Sequence, residues 1–152
     1  MSPVEWKRIL CPVDFSPPSR SAMAMAAGLS ARFGAELTLF HAYPLPGYTL
    51  PEGTILPSPK MLQDLAGQTD AVLEQWKGEA ERLGAVGART AKSVGEPAVE
   101  IVEFAATGRF DLVVIGTSGR TGLRHALLGS VAERVVRRAA CPVLTVHPEA
   151  SP

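Results

Sequence analysis

The chain has 152 residues, fifteen basic side chains against fifteen acidic ones, and a hydrophobic content of 46%. That length and composition fit one well-filled domain over residues 1–152, able to bury roughly 70% of its unfolded surface, and they exclude a disordered chain. The balanced charge supplies no overall field toward nucleic acid or an anionic membrane, so any bound anion must be gripped locally.

Strands and helices alternate along the chain. Residues 8–13 read as a short buried strand, and Ser16-Pro17 then supplies a helix N-cap with proline at the first helical position. Ala22, Met23, Ala26, Leu29 and Phe33 recur at helical spacing until Gly34 ends the helix. Residues 37–42 form the second expected strand. The stretch 44–59 carries five prolines and two glycines, and it reads as a long loop in which neither strand nor helix persists. Ser58-Pro59 opens a second helix through Leu62, Leu65, Leu73, Trp76 and Ala80 to Gly84. Residues 88–94 are a more polar strand suited to a sheet edge, and Glu96-Pro97 starts a third helix through Ile101 and Ala105 to Gly108. Residues 111–115 are the fourth and most apolar strand. A glycine-rich loop, a helix from Ser130 and a last strand over residues 142–147 complete the chain.

Five strands alternating with four helices predict an α/β fold, a doubly wound parallel sheet with helices on both faces. Right-handed crossovers cover both faces only if the strand order reverses somewhere, and ligands bind at that reversal, outside the carboxyl ends of the strands. Asp14 ends the first strand and Gly116 the fourth. A reversal between those two strands would make both face one crevice.

The strongest local signal is Gly116-Thr117-Ser118-Gly119, followed by Gly129-Ser130 at a helix start. Glycines there permit positive φ and let a ligand approach without a Cβ in the way. A helix beginning at Ser130 aims unpaired N–H groups and a positive dipole end into the same space, which suits phosphate. Ser130 is also an ordinary N-cap, its hydroxyl closing the helix when phosphate is absent. Asp14 can accept hydrogen bonds from ribose hydroxyls or help hold a divalent cation, or it can satisfy N–H groups of the turn before Ser16. Arg120 and Arg124 are candidate phosphate clamps, with solvated loop arginines as the plain alternative. The GxxxxGK[ST] signature is absent, so no lysine is built to reach β and γ oxygens, which weakens a case for fast phosphoryl transfer.

Other chemistries find little support. His41, His125 and His147 are too scattered for a metal site or a triad, and Ser118 has no base partner. Cys11 and Cys141 form no CxxC and read as small buried thiols. No apolar run approaches the roughly 18 to 20 residues of a membrane span, and the N-terminus has no signal-peptide core, so cytoplasmic residence is expected.

With these residues in view, the chain resembles the universal stress protein family, whose nucleotide-binding members share Gly, two residues, Gly, nine residues, then Gly and Ser or Thr. Gly116, Gly119, Gly129 and Ser130 match without a gap. The agreement extends through Ile9-Leu10-Cys11-Pro12-Val13-Asp14-Phe15-Ser16, Leu127 to Val135 and Cys141-Pro142-Val143-Leu144. The resemblance implies a five-stranded parallel sheet in the order 3-2-1-4-5 and ATP as ligand, with Mg²⁺ as its companion. It places Asp14 and Gly116 at the ribose, Gly119, Gly129, Ser130 and the Val131 backbone at the phosphates, and Pro12, Val13 and Ala42 against adenine. Arg120 or Arg124 would add charge. It also implies a homodimer formed by antiparallel pairing of the last strand, Val143 to Val146, which would cover an apolar edge. The function so implied is that of a nucleotide-dependent regulator or chaperone-like factor in the stress response. A slow ATP hydrolase and a dimeric module binding AMP, cyclic AMP or a flavin stand as alternatives.

Overall fold

The structure is a computed structural model and describes residues 3–45, 47–117 and 128–148. In chain order these form β1 (Arg8–Pro12), α1 (Pro17–Phe33), β2 (Glu36–Tyr43), β3 (Tyr48–Leu50), β4 (Gly53–Ile55), α2 (Pro59–Arg82), β5 (Arg89–Val94), α3 (Pro97–Thr107), β6 (Leu112–Gly116), α4 (Ser130–Arg138) and β7 (Val143–Val146). Five of the strands build one sheet in the order β5-β2-β1-β6-β7, with every pairing parallel. Setting aside the short β3 and β4, this is the expected 3-2-1-4-5 order, reversing between β1 and β6.

Alternation along the strands sends successive side chains to opposite faces. Ile9, Cys11, Leu37, Leu39, Leu112 and Val114 pack with Met23 and Ala26 of α1 and with Leu73 and Trp76 of α2. Leu10, Phe40, Val113 and Ile115 pack on the other face with Ile101 of α3 and Val135 of α4. Burying both faces is why these strands read as nearly continuous apolar runs.

The helix boundaries follow local chemistry. Ser16 caps α1, its hydroxyl accepting from the Ser19 N–H, with Pro17 at the first helical position. Gly34, at φ 64°, closes that helix in the left-handed region and donates its N–H to the Ser30 carbonyl. Ser58 caps α2 in the same way as Ser16 caps α1, accepting from the Met61 N–H.

The 44–59 stretch departs from expectation. It contains a hairpin, with Tyr48 opposite Ile55 and Leu50 opposite Gly53. Five prolines would break a continuous element, but both three-residue strands are proline-free, and Pro51 falls in the turn between them. Gly53, at φ 137°, completes that turn.

Candidate functional site

The carboxyl ends of β1 and β6 emerge side by side, and a cavity of about 220 Å³ opens there against the starts of α3 and α4. Pro12, Val13 and Asp14 reach it from the end of β1, Ala42 from β2 and Gly116 from β6. Gly129, Ser130 and Val131 reach it from the start of α4. Gly119, Arg120 and Arg124 lie in the segment 118–127, outside the described residues.

The walls hold residues that sequence reasoning treated only as structural. Pro97 and Ile101 of α3 form one side, Ala132 of α4 another, and Phe40 and Ile115 come up from the sheet. The alternation of the strands was the available signal: Phe40 and Ala42 share a face of β2, two residues apart. The Phe40 ring stacks on Phe104 with centroids 4.4 Å apart, which fixes this part of the cavity. Glu96 and Arg134 form a salt bridge that ties the start of α3 to α4, joining the two helices that wall the space.

Asp14 does the turn chemistry that its position allows. Its Oδ1 accepts from the Ser16 N–H at 3.0 Å and from the Ser16 hydroxyl, while the Asp14 N–H donates to Ser19 Oγ at 3.3 Å. The same residue borders the cavity. Satisfying the turn and facing a ligand are therefore compatible, because the carboxylate has several acceptor sites.

Two expectations about the glycine loop are corrected. Ser130 is not the cap of α4: it is the first helical residue, and Gly129 is the cap, at φ −63° and ψ 161°. A glycine cap offers no side-chain oxygen, so the first-turn N–H groups at the cavity receive none from it. Positive φ is not the reason for glycine at positions 116 and 129 either. Neither Gly116 nor Gly129 adopts it, and at Gly116 the constraint is crowding, since a Cβ would collide with Pro18 of α1. The Gly129 N–H donates to the Thr117 carbonyl at 2.5 Å, and the Thr117 N–H donates to the Val146 carbonyl at 3.0 Å, pinning the start of α4 to the sheet.

The remaining candidates lie elsewhere. His41 packs beside Phe15 and Tyr43, with Nδ1 at 2.7 Å from the Val13 carbonyl oxygen. His147 Nδ1 is 3.4 Å from Thr117 Oγ1. Among the described residues no three His, Cys, Asp or Glu side chains cluster as a metal site. Burial drives the Cys11 thiol far above its ordinary range, and burial with the nearby Asp111 charge raises that of half-buried Cys141. Among the described residues no helix is long and apolar enough to cross a membrane.

A model of the universal stress protein family matches residues 5–147, nearly the whole chain. The chain belongs to the universal stress protein family. Universal stress protein MJ0531 of Methanocaldococcus jannaschii is 40% identical over 143 residues, spanning 93% of this chain and 82% of that protein. A universal stress protein of Thermus aquaticus is 34% identical over 144 residues, spanning 93% of this chain and 99% of its own. Among solved structures, universal stress protein UspA from Lactobacillus plantarum matches with a TM-score of 0.79 at 25% identity, over 95% of this chain and 99% of that one. A universal stress protein in complex with cAMP matches with a TM-score of 0.74 at 26% identity, over 96% of this chain and all of that one. In this universal stress protein the cavity thus occupies the switch point of the sheet, where open α/β folds take their ligands.

Proposed function

We propose that this universal stress protein binds an adenine nucleotide, ATP foremost, in the cavity between β1, β6 and α4, and acts as a nucleotide-dependent regulator or chaperone-like factor. One observation carries the reading. A mostly apolar cavity, sized for a flat ring system, lies next to a helix start capped by glycine. Apolar walls accept a base, and first-turn N–H groups with the helix dipole accept phosphate. The solved relative in complex with cAMP supports the ligand class.

In this reading Pro12, Val13 and Ala42 lie against adenine, and Asp14 and Gly116 meet the ribose. Gly119, Gly129, Ser130 and the Val131 backbone hold phosphate, with Arg120 adding charge. Any Mg²⁺ would accompany the triphosphate and be held by the phosphate oxygens, because Asp14 is assigned to the ribose. Binding is favoured over turnover because the sequence has no GxxxxGK[ST] lysine to reach β and γ oxygens, and Ser16 already occupies one oxygen of Asp14. The protein would work in the cytoplasm as a dimer, pairing β7 with its copy, since β7 forms one edge of the sheet.

The test is to denature freshly purified protein, chromatograph the released small molecules, and titrate the emptied protein with ATP, AMP and cyclic AMP. Retained nucleotide, or saturable binding with ATP the tightest, is the expected result. Tighter binding of cyclic AMP would change the ligand. No binding of any of the three at millimolar concentration would overturn the reading.

A further inference from the structure

Phe15 sits between Asp14 and Ser16 with φ 66°, in the left-handed region that a bulky aromatic residue rarely adopts. Arg109 is the other described non-glycine residue with positive φ, and it lies at the opposite end of the sheet, before β6. Nothing in the residue type favours this turn, because phenylalanine has no short polar side chain to bond its own backbone there. Such strain persists only where the surroundings over-determine it.

The surroundings are aromatic. The Phe15 ring lies 4.6 Å from the His41 ring and meets Trp76 edge-on at 5.4 Å, centroid to centroid. Both partners are themselves held. His41 is tied through Nδ1 to the Val13 carbonyl, two residues before Phe15. Trp76 is buried under the Arg20 guanidinium, whose carbon stands 4.5 Å from the indole, and Arg20 pairs with Glu79 of α2. The ring therefore sits on the α1 and α2 face of the sheet, while Asp14, the next residue back, borders the cavity on the α3 and α4 side. One backbone step in the left-handed region separates the two directions.

We infer that Phe15 is a positioning residue: its ring, lodged between His41 and Trp76, holds the turn in the left-handed shape that presents Asp14 to the cavity. The consequence for ligand binding rests on the nucleotide reading above, but the consequence for the turn does not. Without the ring, a residue bearing a Cβ has no reason to stay at positive φ, and a ligand must restore the shape at the expense of its own affinity. Glycine has no such preference to overcome.

The experiment contrasts Phe15→Ala with Phe15→Gly, which both delete the ring and differ only in tolerance of positive φ. Backbone chemical shifts of residues 14–16 are recorded in the unliganded full-length protein, alongside thermal unfolding and ATP titration. Both variants should lose similar stability. Phe15→Ala should move the shifts of residues 14–16 away from wild type and weaken ATP about tenfold. Phe15→Gly should keep those shifts close and weaken ATP about twofold at most. A pure packing role would make the two variants alike in shifts and in affinity, and that result overturns the inference. If the wild type binds no ATP, the nucleotide reading falls, and the shift contrast alone still decides the positioning role. Phe15→Val and Phe15→Asn repeat the contrast should the alanine variant not fold, because asparagine tolerates the left-handed region and valine does not.

Discussion

A Cβ built on Gly116 would stand 2.9 Å from both the carbonyl carbon and the carbonyl oxygen of Pro18. The end of β6 is pressed against the first turn of α1, and the atoms in the way are backbone, which cannot swing aside. Gly116→Ala must therefore displace the start of α1 from the sheet, and Ser19 and the Asp14 turn move with it. Overpacking of this kind costs about 1–3 kcal/mol. Urea unfolding should show that loss, together with weaker ATP binding. An unchanged unfolding midpoint would mean that the first turn of α1 yields without strain.

Asp14 is expected to distinguish ribose from deoxyribose. A carboxylate accepting from sugar hydroxyls contributes about 1.5–3 kcal/mol per charged hydrogen bond. Asp14→Ala should weaken ATP by about tenfold or more and erase most of the wild-type preference for ATP over 2′-deoxy-ATP. Calorimetric titration with both nucleotides makes the comparison. A preference that survives in the variant would assign the sugar contact to another residue.

Gly129 offers a cleaner separation of binding from folding. Its backbone, at φ −63° and ψ 161°, is open to any residue, so a side chain there meets no torsional obstacle. Gly129→Val would place branched methyl groups at the start of α4, in the space assigned to phosphate. ATP binding should be lost while circular dichroism stays near wild type and the unfolding midpoint falls only modestly, valine being a poorer helix cap than glycine. Unchanged ATP affinity would show that the phosphates lie elsewhere.

The two thiols should differ in alkylation, and both should be slow. Only the thiolate attacks iodoacetamide, and a raised pKa means less thiolate at any given pH below it. Cys11 is fully buried and its pKa is raised by burial, so it should resist modification in the native state. Half-buried Cys141, raised by burial and by the Asp111 charge, should react more slowly than a free cysteine and faster than Cys11, with a rate that climbs as pH rises. Mass spectrometry of the timed reaction checks the order. Faster reaction at Cys11 would show that β1 opens readily.

What could be read from the chain before its fold was known depended on whether the deciding interaction was local. Ser16-Pro17, Gly34 and Ser58-Pro59 announce their helix ends because capping uses atoms within a few residues. Strand and helix alternation gave the parallel sheet, but its order came through the family resemblance, since no residue in β1 encodes that β6 rather than β5 will lie beside it. The crowding at Gly116 was invisible for the same reason: Pro18 is distant in sequence. The prolines of residues 44–59 disfavour a long strand but bracket two short ones without interrupting them, which a count of prolines does not reveal. Phe15 is the least local case, a residue type that disfavours left-handed backbone yet packs in that shape against His41 and Trp76.

The hairpin of β3 and β4 pairs with itself and not with the main sheet. Its ladder closes over a turn of a few residues, whereas every pairing in the main sheet joins segments separated by a helix or more. The two sheets should therefore part company in amide hydrogen exchange. The hairpin, carrying exposed Leu50, Ile55 and Leu56, would open and close as its own small unit without disturbing the slowest-exchanging amides of β1, β2 and β6. A change of length in this hairpin should accordingly leave the pairing of the central strands in place.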